Sequence, residues 1–187
     1  MLQLRFHGRG GQGVVTSAEL LAVAAFIDGR HAQAFPSFGS ERMGAPVQAF
    51  CRIDDAPIRA HEPVSRPDVL VIQDPTLLHH VDVFAGLAAD GFVLLNSRHG
   101  AAPLGDAELP LPTGHVRALP ATDLALEHLG RPLPGPVLLG ALAALTHAVR
   151  LGSLTAAVEQ RFIGATAEGN VAAATAGWEH IGAAAHA

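Results

Sequence analysis

Apolar and polar positions change period several times along the chain, and each change marks an element. Leu2, Leu4 and Phe6 alternate with Gln3, Arg5 and His7, the two-residue period of a strand. A glycine-rich turn, Gly8 to Gly13, follows. From Val14 to Phe26 the period becomes helical: Val14, Ala18, Leu21 and Ala25 form one stripe, with Val15 and Ala22 beside it, and Gly29 is the expected stop. His31 to Phe35 reads as a short strand. Pro36 to Pro46 reads as a loop bracketed by prolines. Val47, Ala49, Cys51 and Ile53 then alternate with Gln48, Phe50 and Arg52, a half-buried strand that Asp54-Asp55-Ala56-Pro57 ends as a turn. Cys51 falls on the inward side.

The second half is patterned differently. Asp68 to Asp74 is a continuous apolar run of the kind buried on both faces of a parallel sheet, and Gly91 to Ser97 repeats it. A helix is expected between them, opened by Pro75 with Asp74 as its cap; the crossover of such a unit is right-handed. Gly100 to Leu111 is a loop by composition, and His115 to Leu119 reads as a last strand. From Thr122 onward the chain reads as helical, with breaks at Gly130 to Pro136, Gly152 and Gly164, and with Ser153 and Thr166 as caps of the last two helices. The expected architecture is one α/β domain over 1–187. An open, mostly parallel sheet flanked by helices fills 1–120, and a mainly helical part fills 121–187.

Composition narrows the partners. With 49% hydrophobic and 16% charged residues the chain is globular, and a net charge of -5 argues against a general nucleic-acid face. One cysteine excludes an internal disulfide and any cysteine cluster for iron–sulfur ligation by this chain alone. The first residues reach the glycines before any apolar leader segment develops, and Pro136 to Val149 is too short to span a bilayer; a cytoplasmic, soluble protein with no membrane span is expected. Alanine and glycine abound, and tyrosine is absent. Small side chains bury little area each, so a partner surface is expected to complete the burial.

The chemistry that can be located lies in two loops. Gly8, Gly10 and Gly13 satisfy G-x-G-x-x-G in Gly8-Arg9-Gly10-Gly11-Gln12-Gly13. Such a turn brings backbone close to a phosphate at a helix N-terminus, and Arg9 adds a cation. A nicotinamide dinucleotide also requires an acid at the end of the second strand. That strand ends Ala34-Phe35-Pro36-Ser37, and Asp28 lies before it, so ordinary NAD binding is disfavoured. A tight βα turn without a ligand stays open. The second loop, Phe38-Gly39-Ser40-Glu41-Arg42-Met43-Gly44, would lie at the carboxyl edge of the sheet, where ligands bind in open α/β folds. Ser40 has no histidine or carboxylate at triad spacing. The eleven histidines include no i, i+4 pair on a helix and no HExxH, so no metal site is expected.

Together the two loops, with Arg52-Ile53-Asp54-Asp55-Ala56-Pro57-Ile58 and Pro67-Asp68-Val69-Leu70-Val71-Ile72-Gln73-Asp74-Pro75-Thr76-Leu77 after them, resemble the gamma subunit of 2-oxoacid:acceptor (ferredoxin) oxidoreductases. The likeness runs through about the first 100 residues. Further on, Leu138-Leu139-Gly140-Ala141 and Gly169-Asn170-Val171-Ala172 resemble that family's helical tail; the Asn that often precedes the Leu-Gly-Ala segment is replaced here by Gly135-Pro136-Val137. The resemblance implies a Rossmann-like domain working with alpha, beta and ferredoxin-like delta subunits. Those partners would carry thiamine diphosphate with Mg and the iron–sulfur clusters, and ferredoxin or another acceptor would take the electrons. The complex would convert a 2-oxoacid to an acyl-CoA, and this chain would be inactive alone. On this reading Gly8 to Gly13 holds a phosphate-bearing part of coenzyme A, and Phe38 to Gly44 faces the shared cleft. A purely structural subunit, or a free-standing NAD- or flavin-binding oxidoreductase, is the rival.

Overall fold

The computed structural model describes residues 1–37, 43–104, 111 and 114–184. Six strands, β1 (Leu2–Arg9), β2 (His31–Pro36), β3 (Pro46–Asp54), β4 (Val69–Ile72), β5 (Phe92–Asn96) and β6 (Val116–Leu119), form one sheet in the order β2-β3-β1-β4-β5-β6. β1, β4, β5 and β6 run parallel, and β3 runs antiparallel to both β1 and β2. The α-helices among the described residues are α1 (Val14–Ile27), α2 (Ala121–Leu129), α3 (Gly135–Thr146), α4 (Leu151–Arg161) and α5 (Gly164–Ala184). Among the described residues no helix is long and apolar enough to cross a membrane.

The alternation read from the sequence sets the layers. Leu4 and Phe6 of β1, Ala49, Cys51 and Ile53 of β3, Val69 and Val71 of β4 and Leu94 of β5 point to one face. There they join the buried residues of the helices in a single apolar core. The residues between them, Leu70 and Ile72 of β4 with Val93 and Leu95 of β5, meet Leu77 and Val83 on the opposite face.

That second face departs from expectation. The segment between β4 and β5 contains a short 3-10 helix, Pro75–His79, and no α-helix. Asp74 does cap it, accepting from the Thr76 amide. The segment leaves helical geometry at Gly86, whose φ of 73° is left-handed, and the Val83 and Ala85 carbonyls accept from Arg5 Nη2 (2.9 and 2.7 Å). The tail differs in detail as well. Gly152 lies inside α4, and Ser153 donates its hydroxyl to Asp28, just past α1, and does not cap its own helix. α5 begins at Gly164, which puts Thr166 inside it.

Candidate functional site

β1 delivers the glycine turn to the carboxyl edge of the sheet, at the point where the chain switches direction. After β1 the connection leads through α1 to β2 and β3; after β4 it leads the other way, to β5 and β6. Crevices at such switch points take ligands in open α/β sheets. The glycines have separate reasons to be there. Gly11 (φ 92°) and Gly13 (φ 72°) occupy the left-handed region. Gly8 lies within β1, where a methyl group would sit 2.6 Å from Val14 Cγ2 and 3.3 Å from Gln73 Cβ. The helix therefore packs directly on the strand end.

Gly13 caps α1 through its backbone, and no side chain among the described residues caps the helix. The first-turn N–H groups, which lack intrahelical acceptors, carry the positive end of the helix dipole. They open onto a cleft of about 610 Å³ bounded by the glycine turn, Val15, Thr16, Glu19, Met43, Val47 and Arg161. A second cleft of about 430 Å³ adjoins it, between Gly10–Gln12, Gln73–Pro75, Asn96, Thr122 and Pro132–Pro134. On its wall the buried Gln73 amide donates to Ser17 Oγ (3.0 Å), while its Oε1 has no partner among the described residues.

The turn is held by its own chain. The Arg9 amide donates to Gln12 Oε1 (2.8 Å), and Gln12 Nε2 donates to Asp74 Oδ2 (2.9 Å). The Arg9 guanidinium, expected to serve as a free cation, is engaged by Asp74 (3.2 Å), Thr76 Oγ1 (2.8 Å) and Gly44 O (3.0 Å). Burial alone would raise the Asp74 carboxyl; the hydrogen bonds from Thr76 and Gln12 and the charge of Arg9 outweigh it and hold the group below the usual carboxylate range.

The two loops singled out by sequence do meet. Gly10 N donates to Ala45 O (2.9 Å), Gly44 N donates to Gly10 O (3.1 Å), and Met43 bridges to Gly10. Phe38, Gly39, Ser40, Glu41 and Arg42 lie outside the described residues. Sequence reasoning missed two contributors. Asp74 was read only as a cap, and it also ties Arg9 and Gln12. Arg161, at the end of α4, brings to the cleft a cation without a partner among the described residues. Nothing local marks Arg161, since it arrives by tertiary packing. No group of three or more His, Cys, Asp or Glu among the described residues could hold a metal ion.

A mostly parallel sheet with a glycine turn at its switch point defines an α/β domain with a crevice at the N-terminus of α1, and comparison with known proteins identifies its kind. The description "POR: Pyruvate ferredoxin/flavodoxin oxidoreductase" matches residues 3–180, and the chain belongs to that family. The pyruvate/ketoisovalerate oxidoreductases common subunit gamma of Thermococcus kodakarensis is 48% identical over 93% of this chain and 94% of its own. The crystal structure of pyruvate oxidoreductase subunit PORC from Thermotoga maritima superposes with a TM-score of 0.77 at 34% identity, covering 95% of each chain. The 2-oxoglutarate:ferredoxin oxidoreductase of Magnetococcus marinus, solved with 2-oxoglutarate, coenzyme A and succinyl-CoA bound, shares the fold (TM-score 0.74, 22% identity). The match covers 97% of this chain and 31% of that longer one. This chain is thus a gamma subunit of a pyruvate/2-oxoacid:ferredoxin oxidoreductase complex.

Proposed function

We propose that within the complex this subunit holds the phosphate-bearing part of coenzyme A at the N-terminus of α1, while the partner subunits carry out the oxidation. One observation carries the reading: the first turn of α1 has no side-chain cap among the described residues and opens onto the cleft beside the glycine turn, with Arg161 on the rim. Unpaired N–H groups, a helix dipole and a cation are what a phosphate needs. The residues fit the group, because Gly11 and Gly13 keep side chains off the turn and the cradle is preformed by Arg9, Gln12 and Asp74. Coenzyme A bound to the Magnetococcus marinus enzyme supports the assignment of ligand class.

The division of labour follows from what this chain contains. Its single cysteine cannot ligate an iron–sulfur cluster by itself, and on our reading, which follows the family resemblance, alpha, beta and ferredoxin-like delta partners would carry the clusters and thiamine diphosphate with Mg. Thiamine supplies the carbanion chemistry that releases CO₂ from the 2-oxoacid, and two electrons leave toward ferredoxin. This chain's residues bind and orient the acyl acceptor.

Thr16→Glu in the reconstituted complex tests the reading, because it separates fold from function. A carboxylate in the first turn favours the helix dipole, so the melting temperature of the chain is expected to hold or rise. The same charge repels phosphate, so KM for CoA is expected to rise about tenfold, an effect of about 1.4 kcal/mol, with KM for the 2-oxoacid unchanged. Arg161→Glu should move KM for CoA in the same direction. A KM for CoA unaltered in both variants would assign the turn to assembly alone.

A further inference from the structure

Gln73, just past β4, is 1% exposed, and its amide is held at one end only. Nε2 donates to Ser17 Oγ (3.0 Å), and Ser17 Oγ donates in turn to Gly13 O (3.0 Å). The serine proton is spent on the glycine turn, so toward Gln73 the hydroxyl can only accept. This fixes the amide with Nε2 on the α1 side. It leaves Oε1, an acceptor without a partner among the described residues, at the floor of the second cleft. Gly135 preserves the arrangement, since a methyl there would fall 2.4 Å from Ser17 Oγ and 3.5 Å from Gln73 Nε2. Thr122 brings a second open valence to the same cleft. Its Oγ1 accepts from Asn96 Nδ2 (2.8 Å), which also donates to the Gln73 carbonyl (2.8 Å), and the hydroxyl proton has no acceptor among the described residues.

We infer that the second cleft holds the adenine ring of coenzyme A, its 6-amino group donating to Gln73 Oε1 and a ring nitrogen accepting from Thr122 Oγ1. The inference rests on the coenzyme A reading and extends it from the phosphates to the base. Three features select a base for this cleft. First, the open polar valences are one acceptor and one donor, the complement of an amino group beside a ring nitrogen. Second, Pro75 on one segment and Pro132, Leu133 and Pro134 on the α2–α3 connection give it apolar walls suited to a flat ring. Its volume, about 430 Å³, lies in the range of small-molecule sites, roughly 300–1,000 Å³. Third, no cation lines it among the described residues, and the Asp74 carboxylate does, so a phosphate is disfavoured there. The first cleft, with the N-terminus of α1 and Arg161, is the better place for the charge. Gly10, Gly11 and Met43 border both clefts, so one ligand can span them.

The test compares CoA with its deaminated analogue, in which hypoxanthine replaces adenine, on the reconstituted complex. Deamination puts a carbonyl opposite Gln73 Oε1, so in wild type KM for the analogue is expected to exceed that for CoA by about tenfold or more. This comparison needs no variant. Gln73→Met keeps the length of the side chain and removes the acceptor. It is expected to raise KM for CoA about tenfold and to bring the ratio of the two KM values to about one. The ratio is internal to each enzyme, so a loss of stability alone does not move it. Thr16→Glu acts on the phosphates, which both ligands share, and is expected to raise both KM values and keep their ratio. Equal KM values in wild type, or an unchanged ratio in Gln73→Met, overturn the adenine assignment and leave Oε1 to a buried water. If Thr16→Glu still raises both values, the phosphate reading stands without it. Wild-type KM values for both ligands in Thr16→Glu overturn the phosphate reading and the adenine assignment together.

Discussion

Arg5 and Arg52 lie inside the molecule, and neither forms a salt bridge among the described residues. Both come from the polar half of a strand alternation and face the side of the sheet without α-helices. There they do what a helix would otherwise do, which is satisfy carbonyls. Arg52 donates to Glu62 O (2.6 Å), Gln3 Oε1 (3.3 Å) and Gln33 Oε1 (3.4 Å) and lies over the Phe35 ring at 5.4 Å. The planar fork of five donors suits arginine to this role. Arg52→Met is expected to cost about 1–3 kcal/mol in urea unfolding, by leaving those acceptors unpaired. Arg5 Nε donates to His7 Nε2 (3.0 Å), so His7 is the neutral tautomer with its proton on Nδ1. Burial first, and the Arg5 charge second, push the His7 pKa down to about 3 from 6.5. The native state thus excludes a proton that the unfolded chain takes up below about pH 6.5, and stability falls as pH drops toward 3, by at most about 1.4 kcal/mol per pH unit. His7→Gln, which keeps an acceptor for Arg5 but cannot titrate, is expected to flatten this slope between about pH 6.5 and 5 in denaturant titrations.

Helices on the other face are joined by contacts that leave no room for a side chain. A methyl on Gly140 of α3 would fall 1.7 Å from Ala174 O of α5, and one on Gly177 of α5 would fall 1.9 Å from Val137 O of α3. Their backbones touch, so Gly140→Ala is expected to force α3 and α5 apart and to lower stability by about 1–3 kcal/mol or more, read as a shift in the urea midpoint. α4 is fastened from outside. Asp28, just past α1, accepts from the Arg150 amide (2.8 Å), from Arg150 Nε and from Ser153 Oγ, a cap lent by another helix. Asp28→Ala is expected to cost about 0.5–2 kcal/mol and to speed hydrogen exchange in the first turn of α4. These fastenings mark where sequence reading ends. Periodicity located β1, α1 and β3 because each turns one face to the core, and the continuous apolar runs located β4 and β5 because both their faces are buried. It placed a cap on Ser153, whose acceptor is a distant carboxylate, and a helix after Asp74, where the chain turns left-handed at Gly86. The glycine turn was legible because a positive φ and close packing leave few alternatives to glycine. Arg161 and the hold of Asp74 on Arg9 depend on distant segments meeting, which no local pattern encodes.

At the scale of the molecule, all five helices share one core with the sheet, and Cys51 lies at its middle, fully buried on β3 between β1 and β2. Its inward position follows from the alternation, and burial pushes the thiol up to about 12. Thiol reagents attack the thiolate, so native Cys51 is doubly protected, by access and by protonation. Labelling must wait until the sheet opens. In the isolated chain its rate is therefore expected to rise with urea with the slope of global unfolding, whereas a rate independent of urea would reveal a local opening of β2 and β3. The same thiol reports assembly. A partner that binds only the folded chain, at about 100 times its Kd, adds about 2.7 kcal/mol and should slow labelling about 100-fold.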